Sequence, residues 1–307
     1  MKLSKKKYAG IIIPMVTPLT PEFSLDHAAV EKLFSVFYEN NVLPFILGTT
    51  GEASSLPFGL KNEYIKLAVK LKKPGTILYA GISGNCLAES IEFVNRCFDE
   101  GIDVVAATLP SYFALTESQM KKYFEQLADR VSGPIIIYNI PATTHMSIPL
   151  DIIDELSTHS NIVGTKDSER SDERLHRSLS LWSERPDFSH FLGWAARSAE
   201  ALFNGSDGLV PSTGNLYPSM YSAMLNSVEQ GEKEGAYHFQ KLSDVLGNLY
   251  QQGKLLGESL SALKLIMNNV GFCGRSVMPP LQVLSDQEEK AVLANFKEIM
   301  ETYSLRF

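Results

Sequence analysis

Two short apolar runs decide the fold of this chain: Pro134-Ile135-Ile136-Ile137-Tyr138-Asn139-Ile140-Pro141 and Ile162-Val163-Gly164-Thr165-Lys166-Asp167-Ser168. Each run has the length of a buried strand, and residues 150–158 between them have the pattern of a helix. A strand, a helix and a second strand in this order predict a parallel βαβ unit. Each run carries a reactive side chain near its carboxyl end, a tyrosine in the first and a lysine in the second.

The same alternation extends over most of the chain. Eight apolar runs are predicted strands: Gly10–Val16, Pro44–Gly48, Ile77–Gly81, Val104–Leu109, Pro134–Asn139, Ile162–Lys166, Phe188–Gly193 and Gly208–Pro211. Helices are predicted between them, including His27–Asn40, Leu60–Leu71, Leu87–Glu100, Glu117–Val131, Leu150–Thr158 and Ser198–Phe203. Eight strands, each followed by a helix, indicate an α/β fold of the (β/α)8 TIM barrel type, with a doubly wound sheet as the alternative.

After the eighth strand the pattern changes to helices alone. They are predicted over Tyr217–Gln230, Glu232–Gln252, Leu260–Val270 and Asp286–Thr302. This is more helix than a barrel needs. We therefore expect a catalytic barrel over residues 1–230 and a C-terminal helical region over residues 231–307.

Composition excludes several classes of protein. The chain has 307 residues, of which 44% are hydrophobic and 21% charged, enough for a large core. Its net charge is -7, and the basic block Lys5-Lys6-Lys7 is interpreted as a solvated terminus, so no nucleic-acid partner is predicted. No apolar stretch approaches the ~20 residues that span a bilayer, so no membrane partner is predicted either.

The cysteines and histidines indicate neither a disulfide framework nor a metal site. Cys86, Cys97 and Cys273 have the spacing of no metal motif, and their odd number argues against paired disulfides. The six histidines do not cluster. Because the start of the chain also lacks a signal-peptide pattern, we expect a cytoplasmic protein.

Lys166 is the residue that points most directly to chemistry. A buried ammonium is costly unless it is paired or neutralised, and a desolvated lysine amine forms Schiff bases with carbonyl compounds. Alternate residues of a barrel strand face the interior, so Gly164 and Lys166 share one face, and the glycine leaves space beside the lysine stem. Tyr138 ends the neighbouring strand, where a phenol can relay protons. The alternative is a lysine at the barrel rim beside a tyrosine that caps the core.

Four further stretches carry weaker signals. Gly48-Thr49-Thr50-Gly51-Glu52 predicts a tight turn that can hold a carboxylate, or an ordinary loop between strand and helix. Leu109-Pro110-Ser111-Tyr112-Phe113 contains an aromatic pair that indicates packing. The turn Gly205–Gly208 can hold a phosphate, as in a phosphate-binding barrel isomerase, or be an ordinary turn. The charged residues 169–174 predict a solvated helix start.

Taken in order, these segments resemble the dihydrodipicolinate synthase / N-acetylneuraminate lyase family of pyruvate-dependent class I aldolases. The resemblance covers nearly the whole chain, from Pro14-Met15-Val16-Thr17-Pro18 to the helical tail. Its specific parts are Gly48–Glu52, Tyr138-Asn139-Ile140-Pro141, Gly164-Thr165-Lys166-Asp167 and Gly208-Leu209-Val210 through Gly214-Asn215.

The resemblance implies roles for individual residues. Lys166 would form the Schiff base with the keto carbon of pyruvate or another 2-oxo acid. Tyr138 would relay the proton when a carbon–carbon bond to an aldehyde is cleaved or formed. Thr49 and Thr50 would bind the pyruvate carboxylate, and Val210 would line the pyruvate pocket.

The resemblance also implies an assembly. Tyr112 is similar to the family tyrosine that completes the proton relay across a dimer contact. Family members are commonly homotetramers built as dimers of dimers, and we expect the same here. We expect no cofactor.

Two departures from the family pattern narrow the substrate. Thr143 stands where dihydrodipicolinate synthases carry an arginine that binds the aldehyde's carboxylate, and a hydroxyl does not replace a bidentate guanidinium. Gly193-Trp194-Ala195-Ala196 stands where sialic-acid lyases have an acidic pair. The sequence therefore favours an aldolase for a 2-keto-3-deoxy sugar acid or 4-hydroxy-2-oxoglutarate, with Thr143 and Thr144 meeting substrate hydroxyls. Dihydrodipicolinate synthase or N-acetylneuraminate lyase activity, a 2-oxo acid dehydratase and a non-catalytic 2-oxo acid sensor are the alternatives.

Overall fold

The computed structural model of the protein describes residues 6–305. Its centre is a closed barrel of eight parallel strands, each hydrogen-bonded to its neighbours in the sequence, with the last paired to the first. The strands are β1 (Gly10–Pro14), β2 (Leu43–Ile46), β3 (Tyr79–Ile82), β4 (Val104–Thr108), β5 (Ile135–Asn139), β6 (Ile162–Asp167), β7 (Ser189–Leu192) and β8 (Gly208–Leu209). The predicted TIM barrel is confirmed, and the doubly wound alternative is wrong.

Helices connect the strands and follow the barrel. They are α1 (His27–Glu39), α2 (Phe58–Leu71), α3 (Leu87–Glu100), α4 (Glu117–Ala128), α5 (Pro141–Thr144), α6 (Leu150–Leu156), α7 (Asp172–Trp182), α8 (Ser198–Phe203), α9 (Pro218–Gln230), α10 (Lys233–Gln251), α11 (Leu256–Asn269) and α12 (Asp286–Tyr303). Short 3-10 turns cover Ala195–Arg197 and Ser212–Asn215. The helix α5 was not predicted, because four residues are too few to show a helical period.

Polar residues determine where several helices begin. Thr116 and Gln119 form a capping box at the start of α4, and Ser285 and Glu288 form another at the start of α12. The helix α3 ends at Gly101, whose φ of 114° is open to glycine and unfavourable for other residues. These local signals explain why the predicted starts of α4 and α12 agree with the structure.

Apolar side chains fill two layers. One buried cluster lies inside the barrel and includes Phe45, Ile136 and Phe191. A larger cluster lies between the strands and the surrounding helices, as expected when alternate strand residues face opposite sides. The same cluster includes Tyr250 of α10 and Leu263 of α11, so the C-terminal helices pack on the barrel.

The end of the chain is helical, as predicted. The helix α9 ends at Gln230, and Gly231 then adopts a φ of 76°, which lets the chain turn into α10. We propose this turn as the start of the C-terminal region. Within residues 6–305, no helix combines the length and the apolar character that crossing a membrane requires.

The predicted solvated terminus is wrong for Lys6, while Lys5 lies outside the described residues. The ammonium of Lys6 is buried at the amino-terminal end of the barrel, where it donates to the carbonyl oxygens of Trp182 and Phe188. It also pairs with the carboxylate of Asp207 at 2.9 Å. These acceptors come from distant parts of the chain, so the lysine run itself gave no sign of them.

Candidate active site

Lys166 and Tyr138 are neighbours at the carboxyl ends of β6 and β5. The two residues are paired in the strand register, as are Gly164 and Ile136. Lys166 Nζ lies 3.7 Å from the centre of the Tyr138 ring and 4.9 Å from the centre of the Phe45 ring. Strand alternation and parallel order thus bring the two predicted side chains into contact.

The surroundings of Lys166 favour its neutral form. Only 5% of the residue is exposed. Burial lowers the pKa of its ammonium from 10.5, and the interaction with Tyr138 opposes this shift in part. A lysine with a lowered pKa supplies more neutral amine, which is the form that attacks a carbonyl carbon.

The structure explains the glycine at position 164 differently from the prediction that it leaves space beside the lysine stem. A Cβ atom at this position would lie 2.6 Å from the carbonyl oxygen of Ser189 on β7. The glycine therefore permits the close approach of β7 to β6.

The turn Gly48–Glu52 follows β2 and reaches the same place. The Oγ1 atom of Thr49 lies 3.3 Å from the hydroxyl oxygen of Tyr138, within hydrogen-bond distance. Thr50 is buried and lines the same cavity as Lys166. The turn therefore places the Thr49 hydroxyl beside the phenol, and Thr50 on the wall of the cavity that contains Lys166.

A cavity of about 1020 Å³ opens over Lys166 at the carboxyl end of the barrel. Its inner wall includes Thr50, Tyr138 and the buried Val210, which follows β8. Its outer wall is built by polar side chains of the β8 loop and of α10: Ser212, Ser243, Asp244, Asn248 and Gln251. The cavity thus has room for a second substrate beside a small 2-oxo acid.

Thr143 and Thr144 line a second cavity of about 440 Å³, which shares Tyr138 with the first. Thr144 is buried, and its hydroxyl lies 3.1 Å from the carbonyl oxygen of Ile140 and 3.0 Å from that of Met146. The hydroxyl of Thr144 is therefore engaged with the backbone. Thr143 is less buried, and its hydroxyl makes one longer contact of 3.4 Å to the carbonyl oxygen of Ile140. It is therefore the better placed of the two for a substrate contact.

The sequence matches the model of the dihydrodipicolinate synthetase family over residues 7–299. The chain belongs to this family. An uncharacterized DapA-like lyase from Pyrococcus abyssi is 32% identical over 282 residues, which are 91% of this chain and 94% of the relative. A 4-hydroxy-tetrahydrodipicolinate synthase from Alkalilimnicola ehrlichii is 27% identical over 287 residues, which are 93% of this chain and 96% of the relative.

Solved structures of the dihydrodipicolinate synthetase family share the architecture. Dihydrodipicolinate synthase from Bacteroides thetaiotaomicron has a TM-score of 0.88 at 26% identity, covering 96% of this chain and 99% of its own. YagE from E. coli K12, solved in complex with pyruvate, has a TM-score of 0.89 at 24% identity, and the match covers 95% of this chain and 99% of YagE. This likeness shows a common fold. Membership of the family places the chain among the class I aldolases and lyases.

Tyr112, which was predicted to serve a relay across a dimer contact, lies apart from the Lys166 cavity within one chain. It is 78% exposed, and its ring packs edge-on against the exposed ring of Phe113 at 4.8 Å between centres. The side-chain oxygen of Asn85 accepts hydrogen bonds from the backbone N–H groups of Ser111 and Tyr112. The aromatic pair was interpreted as packing, and the two rings do pack against each other, but both are exposed in the single chain.

A buried polar network that sequence reasoning missed lies behind the reactive residues. Arg174 Nε donates to Asp167 Oδ2 at 2.6 Å, and Asn139 Nδ2 donates to Asp167 Oδ1 at 3.1 Å. Burial raises the pKa of Asp167, and the Arg174 guanidinium opposes this shift. Asn139 and Asp167 directly follow Tyr138 and Lys166, so the network holds the ends of both strands. The predicted solvated helix start is wrong for Arg174, which turns inward.

The turn Gly205–Gly208 is unsuitable as the phosphate site that the sequence allowed. The turn Gly205–Gly208 lies at the amino end of β8, whereas Lys166 lies at the opposite end of the barrel. The carboxylate of Asp207 already occupies the turn, paired with Lys6, and would repel a phosphate. In the described part of the chain, no group of three or more His, Cys, Asp or Glu residues is arranged to hold a metal ion.

Proposed function

We propose that the protein is a Schiff-base-forming class I aldolase that cleaves or forms a carbon–carbon bond between pyruvate and an aldehyde. One observation carries this proposal: the buried amine of Lys166 lies against the ring of Tyr138, whose hydroxyl is 3.3 Å from Thr49. A nucleophile, a proton relay and a hydroxyl suited to a carboxylate therefore meet at one point of one cavity.

The chemistry follows from the amine. The neutral nitrogen of Lys166 attacks the keto carbon of pyruvate, and the addition product takes up a proton at its hydroxyl group and loses water to give a protonated imine. The imine withdraws electrons, so loss of a methyl proton gives an enamine. The enamine carbon attacks the aldehyde carbon, and the aldehyde oxygen takes up a proton. Water then hydrolyses the imine and releases Lys166, and cleavage follows the same steps in reverse.

The neighbouring residues have distinct roles in this proposal. Tyr138 carries the proton between the substrate and the nitrogen, since it lines the same cavity as Lys166 and its ring lies against the amine. Thr49 and Thr50 bind the carboxylate of pyruvate through their hydroxyls and the N–H groups of the turn. Val210 supplies an apolar wall beside the methyl group.

We also propose that Tyr112 extends the relay into the site of a second copy of the chain, in a homotetramer built as a dimer of dimers. Its 78% exposure supports this role, because a residue that serves another subunit must stand out from its own surface. An isolated monomer with full activity would contradict it.

Two features of the cavity bear on the aldehyde. The polar outer wall formed by α10 and the β8 loop suits the hydroxyl groups of a 2-keto-3-deoxy sugar acid. Arg170 lines the same cavity, and its contact there is a 3.4 Å hydrogen bond to Gln251. A guanidinium at this position suits the second carboxylate of 4-hydroxy-2-oxoglutarate. Both substrates are therefore candidates.

The alternatives use the same site. Dihydrodipicolinate synthase and N-acetylneuraminate lyase activities have less support, because Thr143 replaces the arginine and Trp194 to Ala196 offer no acid. A 2-oxo acid dehydratase would use the same imine to expel a hydroxyl group. A sensor would bind the 2-oxo acid without turnover.

Borohydride trapping tests the proposal. Reduction in the presence of pyruvate should give a pyruvyl adduct on Lys166, located by peptide mass spectrometry, and Lys166→Ala should give none. A panel with glyceraldehyde and glyoxylate then distinguishes the sugar acid from 4-hydroxy-2-oxoglutarate. Pyruvate binding without adduct or turnover would favour the sensor, and an adduct on another lysine would overturn the assignment of Lys166.

A further inference from the structure

Glu52, the last residue of the Gly48–Glu52 turn, is tied to the C-terminal region by a buried ion pair. Lys264 Nζ lies 2.5 Å from Glu52 Oε1, and neither side chain has exposed surface. The other carboxylate oxygen accepts the backbone N–H of Met278 at 2.6 Å, and Lys264 donates to the carbonyl oxygen of Ser276 at 2.7 Å. The ion pair thus joins the turn to α11 and to the segment that follows it.

The turn held by this ion pair has an unfavourable backbone. Leu47 and Glu52 have φ values of 55° and 58°, a region that residues with side chains rarely adopt. Thr17 fixes the residue before Glu52 by donating its hydroxyl to the carbonyl oxygen of Gly51 at 2.6 Å. Such conformations persist where the surrounding structure holds them. The ion pair holds the turn on the side that faces α11.

Thr49 and Thr50 directly precede the two positions that these contacts fix, Gly51 and Glu52. Their hydroxyls and N–H groups are oriented by the path of the backbone from Leu47 to Glu52. A buried ion pair is in general a weak source of stability, since apolar residues often replace it without loss. Its position at the residue two places after Thr50 therefore points to a role in orientation.

We propose that Glu52 and Lys264 are positioning residues of the pyruvate site, and that through them α11 holds Thr49 and Thr50 in the geometry that binds a carboxylate. Neither residue contacts the reacting atoms. The identity of the ligand rests on the proposed function, whereas the claim that the ion pair holds the turn is independent of it.

A second buried ion pair supplies a matched control. Lys6 and Asp207 lie 2.9 Å apart with side chains 2% and 4% exposed, at the opposite end of the barrel. The double variants E52Q/K264M and K6M/D207N each replace an ion pair by neutral residues of similar size. Both lose a buried ion pair, but only the first alters the support of the turn.

Three measurements are made on each variant: the melting temperature, hydrogen exchange of the peptide 47–56, and the pyruvate concentration that gives half-maximal borohydride trapping. For E52Q/K264M we expect faster exchange in 47–56 and a half-saturation raised tenfold or more, with Lys166 still trapped at saturation. For K6M/D207N we expect neither change, whatever its melting temperature.

The outcomes separate the two proposals. Unchanged exchange and a half-saturation within twofold of the wild type in E52Q/K264M would overturn the inference. Equal effects in K6M/D207N would also overturn it, because general destabilisation would then explain both. A wild-type protein without an adduct would overturn the proposed function, while exchange in 47–56 would still decide the role of the ion pair. If E52Q/K264M does not fold, Glu52→Asp, which keeps the charge and shortens the side chain, is measured with the same expectations.

Discussion

The hydroxyl oxygen of Tyr138 lies 3.3 Å from Oγ1 of Thr49, so β5 and the turn after β2 meet across the mouth of the barrel. This contact joins the proposed proton relay to the proposed carboxylate site. We therefore expect a 2-oxo acid whose carboxylate binds Thr49 to present its keto carbon to Lys166, whose amine lies against the Tyr138 ring.

Removing the phenol should affect turnover far more than folding. We expect Tyr138→Phe to lower kcat by about 10²–10⁴-fold, because general acid–base catalysis contributes that range. The melting temperature should change little, since the ring stays in place. Steady-state kinetics and thermal unfolding check this, and wild-type turnover in the variant would remove Tyr138 from the mechanism.

Removing the Thr49 hydroxyl should weaken pyruvate binding. Hydrogen bonds to charged groups contribute about 1.5–3 kcal/mol, so Thr49→Val should raise the KM for pyruvate by one to two orders of magnitude. Thr165→Val is the control, because Thr165 is a buried threonine whose hydroxyl donates to the carbonyl oxygen of Ile137. The control should lower stability and leave the KM near the wild-type value. A KM that rises equally in both variants would contradict the role of Thr49.

The lowered pKa of Lys166 predicts a pH dependence in two measurements. Imine formation needs the neutral amine, so its rate should rise with pH through a midpoint below 10.5. The unfolded chain binds the proton more tightly than the folded chain, so the stability of the wild type relative to Lys166→Met should increase with pH between that midpoint and 10.5. Cyanoborohydride trapping rates and denaturant unfolding over a pH series measure both. A midpoint at or above 10.5 would show that burial does not control the amine.

Two adjacent threonines should respond differently to the same change. Thr143→Val should raise the KM for the aldehyde and leave the KM for pyruvate unchanged. Thr144→Val should lower stability by about 1 kcal/mol, because its buried hydroxyl bonds to the backbone. Kinetics with both substrates and chemical denaturation distinguish the two variants. A raised KM for the aldehyde in Thr144→Val and a lowered stability in Thr143→Val would contradict the roles assigned to the two threonines.

The sequence was sufficient to predict the meeting of Lys166 and Tyr138. Both residues end apolar runs in successive βα units, and parallel strands in chain order place such residues side by side. The ends of the strands were less predictable. The eighth apolar run was predicted as Gly208–Pro211, but the strand covers only Gly208 and Leu209. Val210 still donates its N–H to the carbonyl oxygen of Leu192, and Pro211 has no N–H with which to continue the ladder.

The polar contacts behind the site could not be predicted from the sequence. Glu52 looks like one residue of a turn, and Lys264 looks like one charge on a helix. Their ion pair depends on how α11 packs against the barrel, which no local period encodes. The ion pair of Arg174 with Asp167 could not be predicted either. Arg174 belongs to a run of charged residues, and nothing in that run marks its side chain as the one that pairs with Asp167.

The outer wall of the Lys166 cavity belongs to different elements from the inner wall. The reacting groups stand on the strands and the turn after β2, whereas Ser243, Asn248 and Gln251 stand on α10. Under the proposed function, we therefore expect substitutions along one face of α10 to change which aldehyde is accepted while the imine chemistry stays intact. A protein built in this way can change its substrate specificity in evolution without a change in its reaction mechanism. Mutagenesis for new substrates is best started on that helix.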